Sequence, residues 1–120
     1  MKKIIIDGNS LTLDDLVNVA RHNFPVEISK DALEKVKISR GIVDDIVEAG
    51  QISYGITTGF GKFSDVAISK DECRQLQKNL IMSHSCGVGN PLSEEIVRAM
   101  MLLRSNALSK GYSGARCETL

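Results

Sequence analysis

Aromatic side chains are scarce in this chain: tryptophan is absent, and two tyrosines with three phenylalanines make up 4% of 120 residues. So small a set leaves few platforms on which unpaired bases could stack, which argues against a single-strand nucleic-acid binder. Charge of one sign is lacking too. Fifteen basic and fifteen acidic residues cancel, so neither nucleic acid nor an anionic membrane surface is an expected partner. No apolar run approaches the roughly 20 residues that span a bilayer. The apolar start Ile4-Ile5-Ile6 stops at Asp7-Gly8, too soon for a secretory signal. The three cysteines, Cys73, Cys86 and Cys117, are odd in number and show no CxxC spacing. That suits reduced thiols in a cytoplasmic protein better than a disulfide framework.

What is present reads as a mainly α chain with a short amino-terminal β element. Its length is one domain's worth, with no repeat, low-complexity tract or linker. Residues 2–6 suit a strand closed by the turn signal Asp7-Gly8-Asn9. Thr12 is a good N-cap with Asp15 three residues on, and Leu13, Leu16, Val17 and Ala20 share one helical face until Phe24-Pro25. Ser29 can cap a second helix with an apolar stripe of Leu33, Val36, Val43, Ile46 and Val47 and a stop at Gly50. Gly41, inside that helix, predicts a kink or close packing. Residues 51–55 read as extended. Ser69-Lys70-Asp71-Glu72 is a capping box with Ile68 placed as a hydrophobic staple. Its helix should carry Cys73, Leu76, Leu80 and Ile81 inward and end near His84. Ser93 caps a last helix on which Ile96, Met100, Leu103 and Ala107 form the predicted inner face and Gly111 the stop. From Ser113-Gly114 the chain again reads as helical, so its carboxyl end is expected to be incomplete as a domain boundary.

Spacing rejects several chemistries. Gly59-Phe60-Gly61-Lys62 invites a phosphate loop, but such a loop needs a glycine where Ile56 stands and a Ser or Thr where Phe63 stands. No GxGxxG occurs. Cys73, His84 and Cys86 match no zinc spacing and lack a fourth ligand, so no metal is expected. Cys73 reads more simply as a small core residue. His22, at a helix end, reads as a solvated or carbonyl-capping residue.

One pair remains. Tyr54-Gly55-Ile56-Thr57-Thr58-Gly59-Phe60-Gly61 sets a phenol beside three glycines, whose freedom of φ and lack of side chain permit close approach to a bound molecule. About thirty residues on, Ser83-His84-Ser85-Cys86-Gly87-Val88-Gly89 leads a histidine into a second glycine-rich turn. Each residue has a plainer reading: Tyr54 as a half-buried strand tyrosine, His84 as a helix-terminal histidine on the last carbonyls.

The tyrosine loop resembles that of the aromatic amino acid ammonia-lyases and aminomutases. Leu80-Ile81-Met82-Ser83-His84-Ser85-Cys86-Gly87-Val88-Gly89 and Leu103-Arg104-Ser105-Asn106-Ala107-Leu108-Ser109-Lys110-Gly111-Tyr112-Ser113-Gly114 resemble the same family in order and spacing. Within it, Ser83-His84 is similar to the histidine ammonia-lyase branch, where tyrosine-using members tend to have His-Leu and phenylalanine-using members Phe-Leu.

The resemblance implies the amino-terminal part of the ammonia-lyase helical fold over residues 1–120. It implies elimination of ammonia from L-histidine to give trans-urocanate, the first step of histidine degradation. Tyr54 would act in acid/base catalysis, His84 would contact or orient the substrate, and Ser83 and Gly61 would shape the pocket wall. The family uses a 4-methylidene-imidazol-5-one (MIO) electrophile made from an internal Ala-Ser-Gly, and forms homotetramers that assemble each site from several subunits. No Ala-Ser-Gly occurs in these 120 residues, so the chain alone is expected to be inactive. The alternatives are a tyrosine or phenylalanine ammonia-lyase or aminomutase, or a non-catalytic binding module derived from the family.

Overall fold

The computed structural model describes residues 2–59 and 68–120. In chain order the elements are β1 (Ile4–Ile6), α1 (Leu13–His22), β2 (Val26–Ile28), α2 (Lys30–Glu48), α3 (Lys70–His84) and α4 (Glu94–Leu108), with a 3-10 turn at Cys117–Thr119. The mainly α reading therefore holds, with one small sheet. The chain forms two compact units, residues 1–41 with Asn90–Leu120, and Ile42–Gly89.

In the first unit β1 and β2 pair in parallel, Ile4 opposite Val26 and Ile6 opposite Ile28. Parallel neighbours cannot be joined by a tight turn, and α1 is the crossover that returns the chain. Alternation then sorts β1: Ile4 and Ile6 are buried while Ile5 is exposed. With Val19 of α1 and Leu102 of α4 they make the core, against which Leu11, Leu16, Phe24 and Ile28 pack. α1 begins as expected, with Thr12 and Asp15 forming a reciprocal capping box, and it ends at Asn23 in the left-handed conformation. The Ser29 hydroxyl accepts the Ala32 N–H at 3.2 Å and starts α2. A groove of about 780 Å³ opens beside this core, with Val26, Ile28, Leu33, Met101 and Leu120 among its walls.

Several expectations are corrected. β2 was not foreseen. On α4 the predicted inner face is the outer one: Ile96, Met100, Leu103 and Ala107 are exposed, while Leu102 and Ser109 are buried. The cause is polar. The Gly8 N–H donates to Asn106 Oδ1 at 2.9 Å, which turns that side of the helix inward, while Ser109 Oγ is satisfied within the helix by the Ser105 carbonyl at 2.8 Å. Ser93 is the N-cap residue of α4, but its side chain makes no capping bond. Leu13 is exposed, and the inner face of α1 is set by Val19 and Ala20. Gly41 makes no close packing, since a Cβ there would meet nothing within 4 Å, and α2 runs unbroken through it. After Ser113 the chain forms only the 3-10 turn.

In the second unit Val43, Ile46 and Val47 are half-buried along α2, as the stripe predicts. Ser69 and Glu72 form the expected capping box at the start of α3. Both hydrogen bonds from Ser69 favour the ionised carboxylate and hold Glu72 below the usual carboxylate range. Along α3, Cys73, Leu76 and Leu80 are half-buried, whereas Ile81 is exposed rather than inward.

Candidate functional site

Tyr54 sits in a turn, not at the end of an extended segment. The Ser53 carbonyl accepts the Ile56 N–H at 3.1 Å and the Thr57 N–H at 3.0 Å, which folds Tyr54-Gly55 into the corner. Gly55 has φ 73° while Tyr54 keeps a negative φ. A positive φ at the second corner position alone is the type II signature, and it explains the glycine after the tyrosine. Tyr54 is 67% exposed, so the half-buried strand reading of this residue is set aside.

Two buried threonines follow in the same segment, neither singled out from the sequence. Thr57 is 6% exposed and Thr58 fully buried. The Thr57 hydroxyl accepts the Ser53 N–H at 2.9 Å and donates to the Gln51 carbonyl. The Thr57 carbonyl accepts the Ile68 N–H at 3.1 Å. Thr58 Oγ1 donates to the Gly59 carbonyl at 3.1 Å. The Cys73 thiol lies 3.6 Å from the Ile56 carbonyl, within reach of a weak S–H···O bond, so the first turns of α3 dock on the tyrosine turn.

Ser83 and His84 close α3 at its other end. About 16 Å of helix separates Cys73 from His84, at 1.5 Å per residue. His84 Nδ1 lies 3.0 Å from the Leu80 carbonyl and 2.9 Å from Ser83 Oγ, which itself donates to Leu80 at 3.0 Å. A carbonyl can only accept, so the contact with Leu80 is a hydrogen bond when Nδ1 carries a proton. The helix-terminal reading of His84 is thus realised at Nδ1, on the last-turn carbonyl of Leu80. Both residues are exposed. Gly61, the remaining predicted wall residue, lies outside the described residues.

Tyr54, Ser83 and His84 therefore belong to one compact unit, Ile42–Gly89. The tyrosine rises from a bonded turn and the other two from a helix terminus. An exposed phenol and an exposed imidazole nitrogen can each hold or move a proton. Among the described residues no group of three or more His, Cys, Asp or Glu is placed to hold a metal ion. No helix there is long and apolar enough to cross a membrane.

Residues 11–120 match the model of the aromatic amino acid lyase family. A histidine ammonia-lyase from Alkaliphilus oremlandii is 62% identical over all 120 residues, which are 24% of its own length. Among solved structures, ergothionase from Treponema denticola superposes with a TM-score of 0.92 at 36% identity, over 98% of this chain and 24% of that one. Histidine ammonia-lyase from Trypanosoma cruzi gives a TM-score of 0.89 at 42% identity, over 98% of this chain and 22% of the other. The chain thus spans about a quarter of the length of the curated relatives it matches.

Proposed function

This chain belongs to the aromatic amino acid lyase family, and we propose that it is the amino-terminal segment of a histidine ammonia-lyase, which takes L-histidine to trans-urocanate and ammonia. The observation that carries this reading is the match to a histidine ammonia-lyase along the whole chain, at far higher identity than to ergothionase. In this reading Tyr54 presents its hydroxyl to the substrate and moves a proton at the β-carbon or the departing amine. His84, with Nδ1 engaged on the helix carbonyl, offers Nε2 to the imidazole of the substrate. Ser83 and Gly61 form the wall beside it. The complete protein would be a cytoplasmic homotetramer.

The family's MIO group does not fit the residues present here. Its source tripeptide, Ala-Ser-Gly, is missing from the 120 residues, and Ser113-Gly114-Ala115 runs in another order. Gly114 is moreover committed to structure, its N–H donating to Ser39 Oγ at 3.0 Å and its carbonyl accepting from Arg40 at 3.4 Å. The proposed roles of Tyr54, Ser83 and His84 are therefore limited to proton movement, binding and orientation.

A chimera tests the reading: residues 1–120 replace the matching segment of the Alkaliphilus oremlandii relative, and urocanate formation is followed. Turnover of L-histidine, reduced to a small residual rate by Tyr54→Phe and not shown by the 120-residue chain alone, is the expected result. A chimera that turns over tyrosine, phenylalanine or ergothioneine in preference to histidine would sink it. So would a folded chimera with no turnover while the unaltered relative is active.

A further inference from the structure

The turn that carries Tyr54 is not held by its own closure alone. A two-residue corner with a glycine at its second position has many open conformations, because glycine surrenders more freedom on ordering than any other residue. One hydrogen bond across such a corner contributes only about 0.5–1.5 kcal/mol in water. Yet a group that moves protons needs its atoms fixed to within roughly half an ångström. Something else must hold the corner.

We propose that Thr57 is the positioning residue for Tyr54, an inference that rests on the catalytic reading of Tyr54 given above. All its hydrogen-bonding groups are engaged, and together they tie it to Gln51, Ser53 and Ile68. Its N–H reaches back to the Ser53 carbonyl at 3.0 Å, and its carbonyl takes the Ile68 N–H at 3.1 Å, just ahead of α3. Its hydroxyl accepts the Ser53 N–H at 2.9 Å and donates to the Gln51 carbonyl. Ser53 is therefore clamped through both its N–H and its carbonyl by one residue, and Tyr54 is the next residue along.

Two further properties suit threonine to this task. Its branched Cβ restricts χ1, so the hydroxyl is aimed with little rotamer freedom to lose. At 6% exposure it is shielded from water that would compete for the same backbone groups. Tyr54, by contrast, is 67% exposed, so the clamp acts on the backbone at the base of an exposed side chain. The Cys73 thiol against the Ile56 carbonyl adds a weak contact on the far side of the corner.

Two experiments test this on the same variants, Thr57→Val and Thr57→Ser. Valine keeps the shape and loses the hydroxyl, whereas serine keeps the hydroxyl. The first is amide hydrogen exchange at Ser53 in the 120-residue chain, which reads the clamp without any activity. Thr57→Val should speed exchange at Ser53 more than tenfold, and Thr57→Ser by less than threefold. The second is histidine turnover by the chimera. There Thr57→Val should lower kcat by 10- to 100-fold with KM within threefold, and serine should restore at least a third of kcat. In a Tyr54→Phe background Thr57→Val should change the residual kcat by less than twofold, because a positioning residue has nothing left to position. An equal loss in both backgrounds would mean that Thr57 only holds the fold, and would overturn the proposal. Unchanged exchange at Ser53 would also overturn it. A chimera inactive on histidine before any change at Thr57 would instead count against the catalytic reading, while the exchange measurement still decides whether the clamp exists.

Discussion

Gly111 stands against Lys35 so closely that a Cβ on it would fall 2.8 Å from the Lys35 carbonyl carbon. Its φ of 76° is also one that side chains resist. Gly41 has neither constraint: its surroundings are open and it lies within α2. Gly111→Ala should therefore destabilise the chain by about 2–3 kcal/mol. Gly41→Ala should stabilise it by about 0.5–1 kcal/mol through helix propensity and a less flexible unfolded chain. Thermal unfolding followed by circular dichroism should move in opposite directions for the two, and a common direction would contradict the packing described.

The capping boxes predict how stability responds to acid. Asp15 is held below the usual carboxylate range by the Thr12 hydroxyl and then by the Thr12 N–H. Glu72 is lowered by Ser69 in the same way, and Asp7 by the N–H groups of Asn9 and Ser10. A lowered folded value means that this stabilisation is complete above the ordinary carboxylate range. It is lost as pH falls through that range to the lower folded values. The unfolding midpoint should accordingly drop between pH 5 and pH 2, values chosen to bracket the ordinary carboxylate range of roughly 4. Asp15→Asn with Glu72→Gln should flatten that dependence, and an unchanged slope would show that the boxes contribute nothing to it.

How far the fold could be read in advance depends on the reach of each interaction. The N-cap at Thr12 and the capping box at Ser69 were legible because donor and acceptor lie three residues apart. β2 was not, because three residues carry no period and its partner β1 lies across a whole helix. The inner face of α4 was misjudged because hydropathy favoured Met100 and Leu103, while Asn106 turns inward to reach Gly8. Of the candidate site, Tyr54 and His84 stood out by their glycine-rich surroundings. Thr57 did not, since its importance lies in which backbone groups the Tyr54 corner brings within its reach.

The outer face of α4 makes a prediction about association. Met100 is 57% exposed and Leu103 50%, with Ile96, Val97 and Met101 exposed around them. Contiguous apolar surface of this kind seeks cover. The purified chain should self-associate in a concentration-dependent way in analytical ultracentrifugation. Met100→Lys with Leu103→Glu should suppress that while shifting stability by no more than about 0.5 kcal/mol. Association undiminished in this variant would place the sticky surface elsewhere.

The three thiols should differ in reactivity. Cys86 is exposed after the end of α3, whereas Cys73 and Cys117 are half-buried. Access governs thiol modification along with ionisation. Mass spectrometry after brief alkylation should find Cys86 labelled first, and Cys86→Ser should leave the chain largely unlabelled over the same interval. Equal labelling of Cys73 would mean that its contact with the Ile56 carbonyl opens readily.

The first compact unit draws on both ends of the chain, with the whole of the second between them. The Gly8–Asn106 hydrogen bond alone spans 98 positions. A chain leaving the ribosome can pair β1 with β2 early, yet Ile4 and Ile6 wait for Leu102 before their apolar surface is covered. Ile42–Gly89 is contiguous, and its contacts are available as soon as it emerges. Within these 120 residues the apolar face of β1 is therefore completed by a partner almost a hundred positions away, and until the two meet it depends on shielding by something other than itself.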